Sequence, residues 1–342
     1  MALSTIGSRA IVAGAIKDSD LGTLDSLTVS GNVSIDGGTI KLDGNYPVGT
    51  ANVALGDQAL DDGSLSGTYN TAIGHRSLTA NTSGATNVSV GGDSMLVNST
   101  GSDNTSVGVG AMVSNTTGSD NTAVGRQALD ANTTASNNTA IGHRALGANT
   151  TGTNNVAVGY ASADAQTTAS NTTAIGYQAL SANTGDNNTA VGKDALLSHT
   201  SGIYNTAVGS QALDANTTAS SNTAVGYAAL GANTTGATNV GAGAYALDAN
   251  TTGSSNVGVG QHVLSGTTTG TNNTAIGHTA GYTNTASSYN TFIGNAAGYH
   301  ANGSGTTQLV YIGHNAGHLT TTGVINTAVG NQAMYSTTTA AN

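Results

Sequence analysis

The stretch NTAVGRQAL, residues 121–129, decides how the whole chain is read. It runs asparagine, β-branched, small, aliphatic, glycine, two free positions, small, large apolar. The same pattern recurs 17 times, with its fifth-position glycine stepping from Gly56 to Gly330. Thirteen of the 16 gaps between these glycines are 17 residues; the others are 18, 16 and 19. A short period with so little slippage means one supersecondary unit stacked many times. A solenoid grows by adding rungs and not by adding cores, so the length of 342 residues does not imply two domains.

The residue types within the pattern select strand over helix. Position two is Val or Thr in every copy, position four is aliphatic in all but Ala242 (an alanine), and position three is small in 15 copies. Gly, Asn and Thr are poor helix formers, and no 3.6-residue apolar stripe runs through the chain. Neighbours in a strand point to opposite faces. The larger side chains at positions two and four are therefore expected inside the coil, with position three facing out. The glycine at position five marks a turn with positive φ or a close backbone approach. The Ala-Leu pair that follows, as at Leu129, Leu146 and Leu213, returns inward. The remainder, such as ANTTASN at 131–137, is turn chemistry. One rung buries too little to offset the ordering of its 17 residues, so stacking is compulsory. The expected fold is an all-β parallel β-solenoid, or β-roll, of 17 rungs, roughly 80 Å long at ~4.8 Å per rung.

Composition narrows the function classes. Charged residues make up 7% of the chain, and all 17 acidic residues are Asp. A net charge of −10 with seven Lys and Arg argues against nucleic acid. There is no cysteine for a disulfide or thiolate metal site. No stretch approaches the ~20 apolar residues of a membrane helix, so no membrane insertion is expected. Residues 1–20 lack the basic start and apolar run of a signal peptide, which suggests synthesis in a cytoplasm.

Three regions follow. Residues 1–23 carry no repeat and read as an attachment or capping segment. Residues 24–50 alternate apolar and polar residues in short runs and read as a β-strand connector. Residues 51–342 are the repeat shaft. A stripe of Ala, Ser and Gly facing out would let another backbone come close, most simply that of an identical chain. Ala123, Ala140, Ala157, Ala190 and Ala207 are the expected interface, with Phe292 and Tyr311 as bulky exceptions at the same position.

Candidate sites are few. His75, His143, His278 and His314 share the first variable position but occupy non-adjacent rungs, too far apart for a common metal. Asp57, Asp61 and Asp62 form the densest acidic group, without the paired arrangement a glycosidase needs. No cofactor, metal or catalytic residue is expected, and the chain reads as a non-enzyme. Residues 249–342 contain no Asp, Glu, Lys or Arg. In the same region the inward Leu becomes Gly at Gly281, Gly298 and Gly317. Tyr282, Tyr289, Tyr299, His300, His314 and Tyr335 lie there and suit sugar binding by stacking and hydrogen bonds. They are the candidate receptor-binding residues of a distal part.

NTAVG and NTAIG followed by QAL or RAL, as at Asn121, Asn138, Asn188 and Asn205, resemble the head repeats of trimeric autotransporter adhesins. They resemble equally the NTAIGYQAL-type repeats of bacteriophage tail fibres. The likeness covers residues 52–334. It implies a homotrimer of left-handed parallel β-rolls in a phage virion, made in the host cytoplasm. It also implies a fibre held to other virion proteins through the N-terminus and binding host surface polysaccharide or protein. A bacterial surface adhesin or filament is the alternative. An ice-binding solenoid and a tailspike depolymerase rank lower, the first because the strands lack outward Thr-x-Thr pairs.

Overall fold

The computed structural model describes residues 51–302 and 304–336. The expected segments 1–23 and 24–50 lie outside the described residues. Each copy of the pattern forms a three-residue strand, from Val53–Leu55 to Thr327–Val329. Seventeen of these make one sheet in which every strand pairs in parallel with that of the next rung. The register is strict: Thr122 lies beside Thr139, Ala123 beside Ala140 and Val124 beside Ile141. Sixteen turns of a parallel β-solenoid thus separate the first strand from the last. In the last turns a second short pairing joins Ala286–Ser288 to Ser304–Thr306.

The glycine at position five has two reasons to be glycine. Gly125 takes φ +140°, and a Cβ there would stand 2.5 Å from the Gly142 carbonyl oxygen of the next rung. Other sharp bends are made by residues with side chains. Gln127, Leu129 and Asn137 sit at φ 56°, 51° and 61°, and equivalent residues do so along the stack. Left-handed backbone is unfavourable for a leucine, so the surroundings must hold it there. They do so through bonds between rungs, such as Leu129 N–H to the Ala145 carbonyl at 3.0 Å.

The two faces of the strand are the reverse of the expectation. Position three is inside: Ala123, Ala140, Ala157, Ala190 and Ala207 are fully buried within their own chain. Positions two and four point outward, with Ile141 and Val225 at 40% and 43% exposure. The expected interface alanines are therefore core residues, and so are Phe292 and Tyr311, both fully buried. The reason is volume. The opposite wall sends Ala128 and Leu129 into a narrow lumen, and the leucine fills most of it. In the rung of Gly258, where Val263 replaces the usual alanine of the opposite wall, even a Cβ at position three would meet Val263 Cγ1 at 3.0 Å. Close packing in the Ala-Leu rungs holds a methyl group at position three, as at Ala123 and Ala140.

Phe292 and Tyr311 fit because the opposite wall retreats. Gly298 and Gly317 replace the inward leucine, and a Cβ on them would fall 2.5 Å from Phe292 Cδ1 and 2.3 Å from Tyr311 Cδ2. The two rings stack at 5.8 Å and 26°. Burial raises the Tyr311 phenol above its ordinary range.

Two columns of buried asparagine line the corners. Asn121 donates from Nδ2 to the Ala135 carbonyl at 2.9 Å, and its Oδ1 accepts the Asn138 N–H at 3.0 Å. Asn132 donates to Asn115 Oδ1 at 2.8 Å and to the Ala135 carbonyl at 3.1 Å. A buried amide must be paired, and the neighbouring rungs supply the partners. The columns vary at single rungs, with Gln166 and His199 in one and Thr172 in the other.

Candidate functional site

Two surface features stand out. The first is the outward row of positions two and four. At position four Val, Ile and Leu side chains run from Leu55 to Val329 with the one exception of Ala242, partly exposed throughout, beside a position two that is Thr in eleven rungs and Val in six. A continuous apolar stripe of this length is unusual on a free surface.

The second is a column of stacked rings. His143, Tyr160 and Tyr177 stack at 5.4 Å in successive rungs, and the Lys193 ammonium lies 5.8 Å from the Tyr177 ring centre. A longer column begins at Tyr227, which meets Tyr245 edge-on at 5.1 Å. Tyr245 lies flat on His262 at 4.8 Å and 3°. The column then breaks: Tyr282 meets His262 at 6.3 Å and 73°. Beyond the break Tyr282, Tyr299, His318 and Tyr335 stack again at 5.0 to 5.1 Å.

The expected receptor residues divide on this surface. Tyr282, Tyr299 and Tyr335 share the column, and His300 packs edge-on against Tyr299 at 4.7 Å. Tyr289 stands apart as an exposed corner residue at φ 64°. His314 also lies elsewhere, with Nδ1 3.1 Å from Asn331 Oδ1. The reading from sequence missed Tyr227, Tyr245, His262 and His318 as column members. Register could have found His318: Tyr299 to His318 spans 19 residues, as does Gly294 to Gly313.

The break opens a cleft of about 430 Å³. Tyr245, His262, Tyr282 and Asp248 are among the residues that line it. The Tyr245 phenol is pushed up, first by burial, then by Tyr227 and by the charge of Asp248. Asp248 Oδ1 is buried and has no hydrogen-bond partner.

The other carboxylates have structural settings. Asp62 accepts from the Ser64 hydroxyl and backbone, which lowers its pKa. Asp57 lies 3.6 Å from His75, and Asp93 pairs with Arg76 at 2.7 Å. Burial raises Asp130 and Asp214, which lie at the same rung position as Asp248. Among the described residues no three His, Cys, Asp or Glu side chains converge on a point that could hold a metal ion. Nor is any helix there long and apolar enough to cross a membrane. No family model matches the chain, and a search of curated proteins finds no similar one.

Proposed function

We propose that this chain is the shaft subunit of a fibre on a phage particle, a non-enzymatic homotrimer of left-handed β-rolls that serves host attachment. The observation that carries the reading is the outward aliphatic row. Covering each half-exposed Val or Ile contributes about 1 kcal/mol, and a row of such residues adds to an amount that outweighs the entropy of association. Identical chains present identical rows in the same register, so closure about an axis parallel to the stack covers all of them at once. The threefold order and the virion setting come from the likeness of the repeats to tail fibres. Host surface polysaccharide or protein is the external partner in this reading, and the N-terminal segment meets the rest of the particle.

Light scattering of the purified chain tests the assembly, with three times the 33.2 kDa chain mass expected. Gold-labelled antibody then places the protein under the electron microscope. Label on phage particles supports the proposal, and label on bacterial envelopes favours a surface adhesin instead.

A further inference from the structure

The cleft at the break in the ring column belongs neither to the strand row nor to the buried core. Its shape follows from the register. Asp248, Ser265, Tyr282 and Tyr299 occupy the same rung position in four successive turns. Ser265 is short, so a gap of two rung spacings, ~10 Å, opens between the Asp248 carboxylate and the Tyr282 ring. Tyr299 stacks on one face of Tyr282, His262 meets the Tyr282 ring at 6.3 Å and 73°, and Tyr282 lines the gap. Tyr245 and His262, stacked on each other, form the side wall.

The polar groups of this cleft have a consistent sense. The Ser265 hydroxyl donates its proton to the Tyr245 carbonyl at 2.8 Å. Thr283 donates to the Tyr299 carbonyl at 2.9 Å, and Thr285 to Asn302 Oδ1 at 2.7 Å. With those protons committed, the hydroxyls offer lone pairs to an occupant. Asp248 adds a carboxylate whose Oδ1 is buried and unpartnered. It is the one carboxylate among the described residues lining the cleft, and no Asp, Glu, Lys or Arg follows it in the chain. A carboxylate in the wall of a ring-lined cleft can accept a charge-assisted bond from an ammonium held there. Ring faces beside a carboxylate also favour a cation.

We propose that this cleft binds a saccharide unit carrying a free, protonated amine. The ammonium meets Asp248, the sugar's apolar face lies on Tyr282, and its hydroxyls donate to Ser265, Thr283 and Thr285. The inference gives a ligand class to the attachment role proposed above and depends on that role for its biological meaning only.

The test is calorimetric titration of the full chain with glucosamine, N-acetylglucosamine, glucose and lysine amide. Glucosamine is expected to bind at least tenfold more tightly than the other three, and more weakly as salt is added. Asp248→Asn, nearly the same shape, is expected to lose at least tenfold in glucosamine affinity with an unchanged circular dichroism spectrum. Asp214→Asn, at the same rung position two turns earlier, is expected to bind as wild type. Equal binding of the acetylated sugar or glucose overturns the amine, and equal binding of lysine amide overturns the saccharide. An unchanged Asp248→Asn, or no glucosamine binding by the wild type, overturns the site. Light scattering of the same samples separates the two proposals: a trimer that ignores glucosamine sinks only the cleft, and a monomer that binds it sinks only the assembly.

Discussion

Phe292 and Gly298 give the sharpest test of how the lumen is filled. Phe292→Ala removes a fully buried ring and should cost about 3–5 kcal/mol in the local opening energy of its rung. Gly298→Leu alone forces a side chain into the ring, since even its Cβ would lie 2.5 Å from Phe292 Cδ1. Overpacking of that kind costs about 1–3 kcal/mol or more. Backbone conformation is not the obstacle, because Gly298 at φ 62° differs little from Leu129 at φ 51°. The double variant rebuilds the Ala-opposite-Leu rung found at Ala123 and Leu129, although the gap beside Gly281 stays open. Its loss should be about 2 kcal/mol, so the two changes couple by roughly 4 kcal/mol in the favourable direction. Native-state hydrogen exchange at the Phe292 and Ile293 amides, in wild type and the three variants, reads each opening energy. Additive energies, or a Gly298→Leu chain as stable as wild type, would refute the account of a shared lumen.

Three further outcomes are expected. Gly125→Ala meets both a φ of +140° and the Gly142 carbonyl, and should lower the melting temperature by several degrees, whereas Gly92→Ala, with no atom within 4 Å of its Cβ, should leave it unchanged or slightly raised. His199 is buried, with Nε2–H donating to the Gly202 carbonyl and Nδ1 accepting from Asn216, so burial holds its pKa below the usual histidine value. The unfolded chain then takes up the proton first, and stability is lost as pH falls below about 6.5, by at most about 1.4 kcal/mol per unit; urea titrations at several pH values should show this slope, and His199→Asn should remove it. Val208→Asp with Val225→Asp puts charge on the outward row, so sedimentation should report a folded monomer in place of the assembly; an unchanged mass would move the interface elsewhere.

The stacking, the period, the parallel pairing and the turn glycine were all legible in the repeat. The inward side of the strand was not. Alternation separates Ala123 from Thr122 and Val124 without saying which set is inside, and the habit of placing larger apolar groups inside fails in a lumen one leucine wide. A signal for the right choice was present in two rungs. Where position three becomes Phe292 or Tyr311, the inward leucine becomes Gly298 or Gly317. Such an exchange makes sense only if both positions face the same space. The asparagine ladders are not legible as turn chemistry alone, because the partners lie a full turn away, as Asn115 does from Asn132. The cleft was hidden for a similar reason: Asp248, Ser265 and Tyr282 become neighbours only through rung register.

The bonds that join one rung to the next, from Leu129 N–H to the Asn132 amide, run along the stack and not around it. A pull along that direction is resisted first by small groups of hydrogen bonds in series, because the covalent chain circles the axis between one rung and the next. The subunit under tension should therefore yield turn by turn, each 17-residue loop paying out about 55 Å of slack. A stack built this way dissipates a sudden tug as many small steps.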